Sequence, residues 1–269
     1  MAKHCQKKRL PVNYVIKHII DSIIQDIPAA HRHTEDQKRR LYEASLQVFD
    51  RYPRLKQVAT VSHIHNYPIE GGRFFTRVGV LPTQLVIADE RFQNLCCMPY
   101  WTVYNGGKGQ VYRRFDRCPG YGRLPGCPPQ AITTAEVQRL LHRSTHILVL
   151  QTTLLQERWN VKWKFDVLYA LAADIEEVCG KESVISVFGS GPCSACSEQY
   201  CLHHRPCKAP HRRTISLEAA GICVDRMCSD LAVLTGNNAW KLSWIRHFGL
   251  PEQRPKFWKY VEAIVLRLT

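Results

Sequence analysis

Four cysteines crowd into fifteen residues of the C-terminal half: Cys193, Cys196, Cys201 and Cys207, spaced C-x2-C-x4-C-x5-C and led by Gly189-Ser190-Gly191-Pro192. Gly and Pro let the backbone turn tightly enough for the thiolates to close on one centre. Four thiolates are the ligand set of an iron–sulfur cluster or of a structural zinc ion. Three short steps in a single run resemble a ferredoxin-like wrap more than the two separated knuckles of a zinc ribbon, which favours a 4Fe–4S cluster. Cys193, Cys196, His203 and Cys207 form the competing set. Three Cys and one His at that spacing approach a zinc knuckle, and Arg205, Lys208, Arg212 and Arg213 would then hold nucleic-acid phosphates. The same cations also suit a cluster, because four thiolates on a cubane core leave a net charge of about −2 that cations and amide donors stabilise. A solvated basic loop is the bland third option.

A second thiol pair lies about seventy residues earlier, in Cys118-Pro119-Gly120-Tyr121-Gly122-Arg123-Leu124-Pro125-Gly126-Cys127-Pro128-Pro129. Cys118 and Cys127 either complete a second metal centre, with Cys223 and Cys228 folding back, or form a redox-active pair, or stay inert in a Pro-rich loop.

The order of these motifs resembles a family of largely uncharacterised prokaryotic proteins described as predicted metal-binding proteins. Its typical members carry a Cys, a Tyr-Gly pair and a Cys-Pro-Pro, then a helix, strand and helix. A Gly-x-Gly-Pro-Cys-x-x-Cys segment, further Cys and a Ser-x-Glu-Ala-x-Gly-Ile-x-Val signature follow. Here these read Cys118, Tyr121-Gly122, Cys127-Pro128-Pro129, Gly189 to Cys196, Cys201, Cys207 and Ser216 to Val224. The resemblance runs from about Arg117 to Leu234 and implies metal binding, with an iron–sulfur cluster as the expected form. The family usually has Asp where this chain has Cys223, so Cys223 inherits no role. Cys228 also lies outside the pattern, and both read as small buried thiols.

Positioning these loops requires a scaffold, and the periodicity supplies one. Val12, Val15, Ile16, Ile19, Ile20, Ile23, Ile24 and Ile27 mark one helix face before Pro28, and Thr34 with Gln37 forms a capping box that opens a second helix, ended by Pro53. Val58 to Val61 and Gln84 to Ile87 read as strands, and Asn105 to Gly109 as a hairpin loop between Trp101–Tyr104 and Val111-Tyr112. Further on, Thr133 or Thr134 caps a helix, His146 to Leu150 is a buried strand, Val161 to Val178 is a helix closed by Gly180, and Ser183 to Phe188 is a strand. Strand, helix, strand predicts a parallel α/β unit. Leu217 to Leu234 and Phe257 to Leu266 show helical spacing. The expected class is α/β, a partly parallel sheet with flanking helices and a Cys-rich metal-binding loop. Residues 1–269 form a single compact domain in this reading, with 1–95 an N-terminal helical and β elaboration and 117–234 the metal-binding core.

Composition narrows the function. Lys and Arg number 37 against 23 Asp and Glu, giving +14, and twelve residues are Cys. One or two clusters of about −2 each would leave the protein basic, which suits an acidic redox partner as well as a nucleic acid. A hydrophobic share of 45% excludes disorder. No apolar run is long enough to span a membrane. Lys17, His18 and Asp21 interrupt the first apolar segment, so a secretory leader is not expected and the location is cytoplasmic. In that reducing setting clustered thiols hold metal or do redox chemistry. There is no dinucleotide fingerprint, P-loop, nucleophile elbow or HExxH.

The remaining signals read as structural. Cys96-Cys97 is a vicinal pair of free or buried thiols, with a redox pair as the minor option. His63-x-His65 would share one strand face but has no third ligand nearby, and His31-x-His33 is a solvated loop. Trp159, Trp163 and Phe165 beside Arg158, Lys162 and Lys164 form a core face with a charged flank. The expected function is an iron–sulfur protein in electron transfer, or a redox accessory factor with a protein partner. The alternatives are a zinc module on nucleic acid and an iron–sulfur redox enzyme with a small substrate that Cys118 and Cys127 would line.

Overall fold

A six-stranded mixed sheet carries the chain, in the order β1-β2-β5-β8-β6-β7, and β3 and β4 form a separate two-stranded hairpin. The computed structural model describes residues 12–29, 32–60, 63–66, 73–106, 109–124, 126–154, 162–191, 193, 195, 213–242 and 258–268. In chain order the helices are α1 Val12–Asp26, α2 Glu35–Leu46, α3 Val48–Arg51, α4 Pro53–Thr60, α5 Glu90–Asn94, α6 Thr134–His142, α7 Lys162–Cys179 and α8 Val224–Leu234. The strands are β1 His63–Asn66, β2 Arg73–Pro82, β3 Tyr100–Gly106, β4 Gly109–Phe115, β5 His146–Leu154, β6 Val184–Gly189, β7 Ile215–Ser216 and β8 Trp258–Leu266.

Helices cover both faces of the sheet. Alternation along β5 sends Ile147 and Val149 to one face, with Val137 and Leu141 of α6 and Met227 and Leu231 of α8. Leu148 and Leu150 point to the other, with Phe49 of α3, Leu55 of α4, and Leu168, Ala172 and Ile175 of α7. Being buried on both sides, Ile147 to Leu150 of β5 and Ala263 to Leu266 of β8 are continuous apolar runs. The local start signals hold: Thr34 and Thr133 each cap a helix with a complete capping box, through Gln37 and Glu136. The α1 stripe is buried at Ile20, Ile23 and Ile27. Gly180, with φ +102°, closes α7, and β3 pairs antiparallel with β4 as expected.

Four local readings are overturned. Phe257 to Leu266 does not form a helix, because Trp258–Leu266 is β8, antiparallel to β5 on one side and to β6 on the other. An apolar run buried on both faces has no alternation to distinguish it from a helix, so only its neighbours decide. Thus β5 and β6 run in the same direction but are split by β8, and the parallel ladder is between β6 and β7. Val58 to Thr60 belongs to α4, since Pro53 opens that helix, its missing N–H costing nothing in the first turn. Gln84 and Leu85 lie in a 3-10 turn after Pro82, held by Thr83 Oγ1 donating to Ser144 O at 2.8 Å. Between Leu217 and Leu234 only α8 is α-helical, because residues 217–221 form a turn ending at Gly221, φ +77°.

Candidate metal centre

The Cys-rich loop leaves the carboxyl end of β6 and returns into β7, where Phe188 pairs with Ile215 and Gly189 with Ser216. Crevices outside the carboxyl ends of strands are where open α/β sheets bind ligands. Of the four expected ligands, Cys193 is described, half-buried at the loop's base, and Cys196, Cys201 and Cys207 lie outside the described residues. His203, His204, Arg205, Lys208, His211 and Arg212 lie outside them too. The Thr214 backbone N–H donates to Cys193 Sγ at 3.5 Å, and Thr214 itself is fully buried. Its Oγ1 finds no hydrogen-bond partner among the described residues. A cysteine sulfur, an amide donating to it and a buried hydroxyl on the same threonine suit a thiolate-held anionic group, which gains from such donors. Arg213 is directed to the Gln130 carbonyl, 3.4 Å away.

Thr214 also joins this loop to the Cys118–Cys127 motif. Its carbonyl lies 3.0 Å from where a Cβ on Gly126 would stand, so the absent side chain permits the approach. Within the motif, Gly122 N donates to Pro128 O at 2.7 Å, and Cys127 N to Leu124 O at 2.9 Å. A Cβ on Gly120 would lie 2.7 Å from Cys127 Sγ, so that thiol occupies the space glycine leaves. Burial, with the nearby Cys118 sulfur adding to it, pushes the Cys127 thiol up to about 12.

Sequence reasoning did not connect the next thiol to this motif. Cys96 sits in the 3-10 turn Leu95–Cys97 that follows α5, and its carbonyl accepts from Cys118 N at 3.0 Å. Burial pushes the Cys96 thiol up, and the charges of Cys118, Glu218, Cys127 and Cys97 push it further, so these groups share one neighbourhood. The turn is well anchored. Gln93 Nε2 donates to Ala219 O at 2.7 Å and Ile132 O at 3.2 Å, and Phe92 is buried with Ile20, Ile23 and Cys223. Cys97 is exposed and hydrogen-bonds the Tyr121 hydroxyl, a contact that raises the phenol, while Arg117 stands 5.3 Å over the Tyr121 ring. The vicinal cysteines were the available signal, but their meeting with Cys118 depends on chain folding across β3 and β4.

Cys223 and Cys228 are core thiols. Cys223 is the N-cap of α8 under α1, and Cys228 is fully buried, accepting from Gln151 Nε2 at 3.7 Å. The Ser216 to Val224 signature is likewise architectural: Ser216 Oγ accepts from Ala219 N, Gly221 supplies the positive φ, and Ile222 bridges Ala88. His63 and His65 lie on β1 opposite Thr76 and Phe74. His33 Nε2 is 3.2 Å from Gln84 O. The side chains of the Trp159 to Phe165 patch lie outside the described residues. Among the described residues no three His, Cys, Asp or Glu side chains stand ready to hold a metal ion, and no helix is long and apolar enough to cross a membrane.

Compared with known proteins, residues 110–245, just over half of the chain, match the family described as predicted metal-binding protein (DUF2284). The match takes in Cys118, Cys127, Cys179, Cys193, Cys196, Cys201, Cys207, Cys223 and Cys228, and begins after Cys96 and Cys97. No curated protein and no solved structure matches the chain.

Proposed function

We propose, from the premise that this chain belongs to the family of predicted metal-binding proteins, that its metal is a 4Fe–4S cluster held by Cys193, Cys196, Cys201 and Cys207. The protein then works in electron transfer, or as a redox accessory factor for a larger enzyme. One observation carries the reading: four cysteines in one short run span the loop between β6 and β7, and the first sulfur already receives the Thr214 amide at 3.5 Å. When bound, such a cluster supplies one-electron transfer at a potential set by hydrogen bonds to its sulfurs and by solvent access. The chain's part is to hold the ligands, to donate from the Thr214 amide and to offset negative charge with the basic residues of the loop. The Cys118–Cys127 segment reaches the base of this loop where Gly126 meets the Thr214 carbonyl.

Anaerobic purification followed by iron, acid-labile sulfide and zinc analysis tests this. About four iron and four sulfide per chain are expected, lost on Cys193→Ser. Stoichiometric zinc with neither iron nor sulfide would replace the reading by a zinc module. Nucleic-acid binding that weakens steeply with salt would then point to phosphate contacts.

A further inference from the structure

We infer that Cys96 and Cys118 form a redox-active dithiol that exchanges with a small-molecule disulfide, Cys96 coming from outside the family-matched segment. The hydrogen bond from Cys118 N to Cys96 O, at 3.0 Å, fixes the two backbones against each other. A backbone N–H···O=C bond brings the two Cα atoms within reach of the roughly 4.4–6.8 Å that a disulfide spans. Both carry thiols and both residues are half-buried.

The other pairings are poorer. Cys96 and Cys97 are adjacent, and consecutive Cα atoms about 3.8 Å apart fall short of that span. Cys97 is also turned outward onto Tyr121. Cys127 is buried, its sulfur seated against Gly120. The turn bearing Cys96 is held by Gln93 to Ile132 and Ala219, so it need not travel to meet its partner.

The chemistry balances without a metal. One protein thiolate attacks the co-substrate disulfide, forming a mixed disulfide and expelling one small thiolate. The second attacks that mixed disulfide and expels the other. One protein S–S bond replaces one small-molecule S–S bond, and the two thiol protons pass to the two small thiols. The inference therefore stands whether or not the loop holds a cluster.

Glutathione supplies the test, on the full-length protein equilibrated with oxidised and reduced mixtures, alkylated and digested with trypsin. Cleavage after Arg91, Lys108, Arg117, Arg123 and Arg139 leaves Cys96 and Cys97 on residues 92–108, Cys118 on 118–123 and Cys127 on 124–139. The expected product joins 92–108 to 118–123, survives Cys97→Ser, disappears with Cys96→Ser and is absent from the reduced sample. A bridge from 118–123 to 124–139, a bridge within 92–108, or no bridge would overturn the inference. The Cys97→Ser map assigns the sulfur even if Cys96→Ser fails to fold. Iron and zinc measured on the same samples keep a failure here distinct from a failure of the cluster reading.

Discussion

Replacing Gly221 by Ala should cost far more than an ordinary surface substitution. Gly221 has φ +77°, and a Cβ there would lie 2.8 Å from Thr134 Oγ1 and 2.9 Å from Asp89 O. The left-handed backbone alone costs about 1–2 kcal/mol for a side-chain-bearing residue. Thr134 Oγ1 can rotate away, but the Asp89 carbonyl cannot easily retreat. Asp89 N donates to Gly221 O at 2.9 Å, and Cys223 N donates to Ile87 O at 2.9 Å, so both strands of the contact are pinned. Forcing extra volume into such a contact costs about 1–3 kcal/mol more, for a total of about 2–5 kcal/mol, a large share of a typical domain's stability. Gly236 is the control: its φ is +66° with nothing within 4 Å of its would-be Cβ, so Gly236→Ala should show the backbone cost alone. Urea unfolding of the two variants beside the parent measures the difference, at unchanged denaturant slope. If Gly221→Ala costs no more than Gly236→Ala, the steric argument is wrong, and with it the view that Gly221 lets α6 and the Asp89 segment close.

Two further expectations concern buried polar groups. Lys38 is 3% exposed, with Nζ 2.8 Å from Asp230 Oδ1, so Lys38→Met leaves a buried carboxylate with Arg226 at 3.2 Å as its remaining close cation. The loss should be about 3 kcal/mol in chemical denaturation, mostly recovered in Lys38→Met/Asp230→Leu; equal losses in both would contradict the charge-burial explanation. Burial holds the His146 imidazole below its usual value, between Thr145 Oγ1 at 2.9 Å and Ser45 O at 3.1 Å. The folded state therefore releases the proton more readily, so stability present above the unfolded value of about 6.5 is lost as pH falls through the lower folded value. Urea midpoints at about pH 7.5 and about pH 5.5 should fall more for the parent than for His146→Gln, and parallel profiles would refute this.

Legibility in the sequence followed the range of the interaction. The caps at Thr34 and Thr133, the α1 stripe and the β3–β4 pairing are decided within a short stretch of chain, and the sequence reading agrees with the structure at each, though β3 and β4 extend through Gly106 and from Gly109 into the expected loop. The resemblance to the family, carried by closely spaced residues, agrees with the match over residues 110–245. Val58 to Thr60 misled because β-branched composition outweighed the helix-opening role of Pro53.

What the sequence by itself determined is the inventory of the site, which thiols are clustered and at what spacing, together with the starts of the two capped helices. The tertiary structure alone decided that Trp258–Leu266 is a strand between β5 and β6, and that Cys96 meets Cys118. An apolar run buried on both faces has no periodicity of its own, and two cysteines separated by a whole hairpin share no local signal. In both cases the deciding partner is distant in the chain and near only after the sheet has formed.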